Sequence, residues 1–299
     1  HEGVFNGMKT TSSNRKVLQI TARASHGSSG SPVFNKNGEV IGITTFLIKR
    51  SQNIILAMPV DLVQDKIKNR KTISLDQTIK NYRKTADYWF YLGYFLAEAG
   101  AHKEAAEVLR EAIRLRPALA DAHYYLGISY EQLKKNKEAL QEYKEAVRLM
   151  PDLTDAIYSL GVLYGKQGMY KESADALMRV VRLEPDFADA YFNMGVAYER
   201  LGMHKAGIEA YRQAVKLRPD FVDAHYNLAI AFEKSGDYKG AISPLQEAVR
   251  LKPDFAEAHY NLGIVYLLLK DKAAALERHS ILKALKSELA VKLFKLIYK

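Results

Sequence analysis

Five prolines constrain the fold of this chain. Pro117, Pro151, Pro185, Pro219 and Pro253 each stand 34 residues after the last. Other columns keep the same step. Small residues recur at Gly93, Gly127, Gly161, Gly195, Ala229 and Gly263, then at Ala105, Ala139, Ser173, Gly207, Ala241 and Ala275. A further column runs Ala112, Ala146, Val180, Ala214, Ala248 and Leu282. Aromatic rings follow most of the first glycines, at Tyr130, Tyr164, Tyr198, Phe232 and Tyr266. A fixed period of this length means one supersecondary unit copied along the chain. Proline lacks a backbone donor and disfavours helix in the residue before it, so each one ends a helix. The small columns let two helices approach closely. Each unit reads as a helix pair that cannot bury its apolar face alone and must stack on its neighbours.

This pattern resembles the tetratricopeptide repeat. The resemblance covers 86–285 in six units: 86–119, 120–153, 154–187, 188–221, 222–255 and 256–285. It implies a mainly α-helical solenoid, coiled as a right-handed superhelix, with the first helix of each pair lining a concave groove. After the last unit the chain reads "SELAVKLFKLIYK". Ala290, Leu293, Phe294 and Ile297 there are spaced i, i+3, i+4, i+7, so 286–299 reads as a capping helix, ahead of a membrane-surface helix.

Counted from the start of each unit, the second residue is Asp87, Asp121, Asp155, Asp189, Asp223 and Glu257. The fifth is always aromatic: Phe90, Tyr124, Tyr158, Phe192, Tyr226 and Tyr260. The sixth changes from Tyr91, Tyr125 and Ser159 to Asn193, Asn227 and Asn261. Three asparagines, one per repeat, would form a ladder whose amides pair with an extended peptide backbone of any sequence. The ladder resembles that of the O-linked N-acetylglucosamine transferases. The acidic row of Asp189, Asp223 and Glu257 beside it would favour basic segments. The two-carboxylate clamp of chaperone-binding repeats is not expected, because Phe90 and Tyr94 occupy its Lys and Asn positions. His123, His225 and His259 share the fourth position, and His102 and His204 the seventeenth. These are helix-packing positions without ligand spacing, so neither a metal site nor a cofactor is expected.

Composition narrows the classes further. The apolar fraction of 48% and charged fraction of 26% are globular values. No apolar run reaches the ~18 residues of a membrane helix. Cysteine is absent, which removes disulfides and thiolate chemistry. The net charge is uneven: residues 1–85 carry 14 Lys/Arg against 5 Asp/Glu, and the remainder is close to neutral. No aromatic or glycine pattern accompanies that basic stretch, so it reads as a solvated linker over 70–85 and not as a nucleic-acid patch.

Residues 2–60 read as strands, "EGVFNGMK", "KVLQITAR", "SPVFN", "EVIGITTFLI" and "NIILAMPV", with a hairpin turn at Asn35–Gly38. Pro59 and Asp61 then open a short helix. Between the strands lies Gly27-Ser28-Ser29-Gly30, a bend with convergent backbone donors. A hydrolase elbow would need glycine at Ser31, and a phosphate loop would need a Gly-Lys-Ser/Thr ending. The order of this loop, "GEVIGI" and "AMPV" resembles the C-terminal barrel of trypsin-like proteases of the HtrA/DegP-like branch, over about 1–69. The resemblance implies Ser29 as nucleophile, and Gly27 with Ser29 as oxyanion hole. It also implies Ile43-Thr44-Thr45 as the substrate-pairing strand, and Arg23 at the base of the specificity pocket. In that family the general base and its orienting acid come from a first barrel. Only 28 residues precede Ser29, and His26 shares its tight loop. The expectation is therefore a partial trypsin-like β-barrel, inactive by itself, whose partner is a missing N-terminal protease barrel. The parent would be a serine endopeptidase with an array that recruits proteins or peptides. The alternative is a non-enzymatic scaffold with a vestigial protease-like module. The protease resemblance implies a periplasmic or otherwise extracytoplasmic location, and an oligomer stays open.

Overall fold

A computed structural model describes residues 84–299, preceded by the backbone of five strands. These are β1 (Val4–Thr10), β2 (Lys16–Thr21), β3 (Pro32–Phe34), β4 (Val40–Arg50) and β5 (Gln52–Pro59). They pair antiparallel in the order β1-β2-β5-β4-β3. The barrel expected over 1–69 is described only as this sheet backbone. Gly27 and Ser29 fall between β2 and β3, outside the described residues. So do the helix expected after Pro59 and the linker up to residue 83.

Thirteen helices follow among the described residues. The first pairs are α1 (Ala86–Glu98) with α2 (His102–Leu115), and α3 (Ala120–Gln132) with α4 (Asn136–Leu149). Next come α5 (Thr154–Lys166) with α6 (Tyr170–Leu183), and α7 (Ala188–Arg200) with α8 (His204–Leu217). The last are α9 (Val222–Lys234) with α10 (Tyr238–Leu251), α11 (Ala256–Leu268) with α12 (Lys272–Ala284), and the single helix α13 (Leu289–Ile297). The chain forms two compact units, His1–Ala156 and Ile157–Lys299.

In the first unit α1 packs on α2, α2 on α3, α3 on α4, and α1 on α3. Phe90, Leu109 and Leu126 are buried at its centre, with the half-buried Trp89 against them. Trp89 meets the edge of Tyr88 at 5.3 Å between centroids. The glycine column permits this packing. A methyl group on Gly127 would stand 2.5 Å from the Tyr143 ring, inside van der Waals contact.

The second unit repeats the scheme from α6 to α13. Gly195 lies under Tyr211 of α8 as Gly127 lies under Tyr143. At Gly263 the scheme changes: the side chain over it is Leu293, which comes from α13. Ala290, Leu293 and Ile297 bury this face of α13 against α11 and α12.

Each first helix ends in the same turn. The backbone N–H of the sixteenth residue donates to the carbonyl of the eleventh, as in Lys135 to Tyr130 at 2.8 Å and Met203 to Tyr198 at 2.9 Å. The residue between must adopt a left-handed conformation. Four repeats place glycine there, whereas Lys134 and Lys270 adopt it at φ 60° and 65°.

The fourth-position histidines have a role beyond packing. Nε2 of His123, His225 and His259 lies 3.0, 2.9 and 2.9 Å from the carbonyl oxygens of Pro117, Pro219 and Pro253. A carbonyl only accepts, so Nε2 carries the proton in all three. Each histidine thereby ties its helix to the proline turn before it. Nδ1 of His123 also meets Glu142 Oε2 at 2.6 Å. Burial pushes this imidazole down, but its bonds to Glu142 and Pro117 outweigh that and raise it above its ordinary value.

Candidate peptide-binding face

The first helices of three successive repeats, α7, α9 and α11, carry the asparagine column in the second unit. Asn193, Asn227 and Asn261 occupy the same turn of each helix, and all three are half-buried. Beside them runs a column of aromatic pairs. Tyr158 faces Phe187 at 4.8 Å, Phe192 faces Phe221 at 4.8 Å, and Tyr226 faces Phe255 at 4.9 Å. Cations cover two of them: the Arg218 guanidinium lies 4.3 Å from the Phe221 ring, and Lys252 Nζ lies 5.0 Å from the Phe255 ring.

The three amides are not equivalent. Asn193 Nδ2 donates to the Tyr158 hydroxyl at 2.9 Å and to the Asp189 carbonyl at 2.9 Å. Asn261 Nδ2 donates to the Tyr226 hydroxyl at 3.0 Å. Burial raises both tyrosines above their ordinary value, so they remain hydroxyls at neutral pH. Asn227 makes no hydrogen bond among the described residues.

The acidic row is also uneven. The Asp189 carboxylate is ion-paired with Arg218, while Asp223 and Glu257 are exposed. In the first unit Asp87 is held likewise by Arg116, through contacts of 3.0 and 2.8 Å. Further along the same helices, Glu199 accepts from Lys234 Nζ at 3.1 Å and lies 3.0 Å from His204 Nδ1. Its counterpart one repeat on, Glu233, has a buried Oε1 with no hydrogen-bond partner, and burial pushes its carboxyl up to about 7.

Sequence reasoning places the asparagines and acids in their columns but misses three participants. It reads the fifth position as aromatic without distinguishing the hydroxyls of Tyr158 and Tyr226 from Phe192, although the letters carry that difference. It gives no sign of the buried Glu233 carboxyl. Among the described residues there is no group of three His, Cys, Asp or Glu side chains placed to hold a metal ion, and no helix long and apolar enough to cross a membrane.

Stacked helix pairs, five of them followed by a proline, each first helix ending on a left-handed residue and five of six carrying the close-packed glycine, define a helical repeat protein. A family model described as TPR repeat matches residues 93–134, 132–168, 166–202 and 231–270. Tetratricopeptide repeat models match 188–221 and 210–243. The chain belongs to the tetratricopeptide-repeat family. A Trypsin-like peptidase domain model matches residues 1–43. No curated protein matches the chain in sequence. Among solved structures, YrrB, described as a TPR protein with an unusual peptide-binding site, is 23% identical with a TM-score of 0.58. That match covers 64% of this chain and all but 1% of the other, which it covers to 99%. PilF of Pseudomonas aeruginosa is 20% identical with a TM-score of 0.57, covering 70% of this chain and 96% of its own. MamA of Desulfovibrio magneticus RS-1 is 26% identical with a TM-score of 0.54, covering 57% and 96%. At these identities the likeness is one of fold.

Proposed function

We propose that the chain is a scaffold that binds an extended protein segment along α7, α9 and α11. The observation that carries this reading is the column of Asn193, Asn227 and Asn261. Three carboxamides recur at one turn of three neighbouring helices, partly open to solvent, and peptide backbone is the periodic partner with alternating donors and acceptors. Aromatic pairs beside the column supply apolar contact, and the exposed Asp223 and Glu257 favour basic side chains in the ligand. YrrB, the similar structure noted above, has a peptide-binding site of its own.

The triple variant N193A/N227A/N261A tests this reading. Binding to an array of short, unstructured, lysine-containing peptides should weaken by about tenfold or more, the worth of one to two net hydrogen bonds. Unchanged binding in a folded triple variant would remove the proposal.

The scaffold with a protease-like β module is the better supported form of this reading. The parent-endopeptidase form rests on the match over residues 1–43, with Ser29 as nucleophile and the Gly27 and Ser29 N–H groups as oxyanion donors. The extracytoplasmic location belongs to that form too.

A further inference from the structure

The contact that pins one asparagine to the repeat before it occurs twice and is broken once between. Asn193 and Asn261 each reach a tyrosine hydroxyl 35 residues back, on Tyr158 and Tyr226. The residue 35 positions before Asn227 is Phe192. Its ring takes the same place as the tyrosines: the centroid distance to Phe221 is 4.8 Å, against 4.8 and 4.9 Å for the flanking pairs. Only the hydroxyl is missing. The Asn193 orientation is fixed, because the Asp189 carbonyl can only accept from an N–H. Both of its amide hydrogens are committed, leaving one oxygen free. Asn261 keeps its oxygen and one hydrogen. Asn227 keeps everything, and it is half-exposed.

We propose that Asn227 is the residue that fixes an extended peptide in register on this face. It rests on the peptide-binding reading above. The Asn227 Nδ2 donates to a peptide carbonyl while its Oδ1 accepts from a peptide N–H. Asn193 can only accept, so the chain must present an N–H there. The ligand recognised is main chain, with the register set by one two-way contact and the flanking amides held ready by their tyrosines. Phe192 acts through Asn227, as a positioning residue: by lacking a hydroxyl it leaves the amide unclaimed.

The probe is the tightest lysine-containing peptide from the array, fluorescein-labelled and titrated by polarisation. N227A should weaken it by about tenfold, and N193A and N261A by about threefold or less each. F192Y should weaken it by about threefold to tenfold, while its melting temperature equals or exceeds that of the wild type. A merely structural role for Phe192 does not produce that combination. Y158F frees Asn193 and should leave affinity equal or higher. If F192Y melts early, N227D, which keeps the shape and loses the donors, is read in its place. Equal losses at all three asparagines, or F192Y binding like wild type, would overturn the anchor and leave the ladder standing. A wild-type chain that binds no peptide of the array would overturn both.

Discussion

A carboxyl group buried without a donor gives up stability whenever it must ionise. Glu233 is such a group, with burial holding its folded value at about 7 against an ordinary 4.5. The folded chain holds this proton more tightly than the unfolded one. Its contribution to stability is therefore full below about pH 4.5 and lost as the pH rises through about 7. E233Q should raise stability at pH 8 by about 1 kcal/mol, allowing for partial exposure, and change little at pH 4. Urea unfolding at the two pH values measures the difference, and an equal effect at both would contradict the burial argument. At this scale the sequence says least. Columns of residue type are visible in it, but burial and partner are not. The fourth-position histidines look like filler until the Pro117, Pro219 and Pro253 carbonyls are found against them.

Helices and turns follow more closely from the letters, because proline and glycine act on the backbone itself and need no tertiary partner. The 34-residue proline column and the glycine column are legible for that reason. The left-handed position at the end of each first helix is a finer case. Lys134 occupies it with a side chain that glycine does not carry, at φ 60°. K134G should stabilise the chain by ~0.5–1 kcal/mol, because relief of left-handed strain of ~1–2 kcal/mol exceeds glycine's entropic cost of ~0.5–1 kcal/mol. G127A should act in the opposite sense, by ~1–3 kcal/mol, since its methyl would push on the Tyr143 ring 2.5 Å away. Thermal melts of both variants check the pair, and the reverse order of stabilities would overturn the reading of these turns. Leu293 shows where element-level reading stops. Its stripe announces an amphipathic helix, but not that this residue covers Gly263.

Over the whole molecule, two kinds of signal meet. The repeats are a local pattern multiplied, and the family match bears out the repeat reading. The protease-like front is different: a nucleophilic role for Ser29 would need a base and an acid brought to it from elsewhere in space, and a short run of strands cannot report them. The expectation is that the chain by itself does not react through Ser29. A fluorophosphonate probe followed by peptide mapping tests this, and labelling of Ser29 at the rate of an active serine protease would restore the enzyme reading.

The placement of Trp89 has an optical consequence. It is the single tryptophan of the chain, and it sits in α1, among the aromatic side chains of the first unit. Its emission reports the surroundings of α1 and α3 within the first unit. Tryptophan fluorescence and far-ultraviolet dichroism therefore follow different parts of one unfolding reaction, and their midpoints coincide only if the two units melt together.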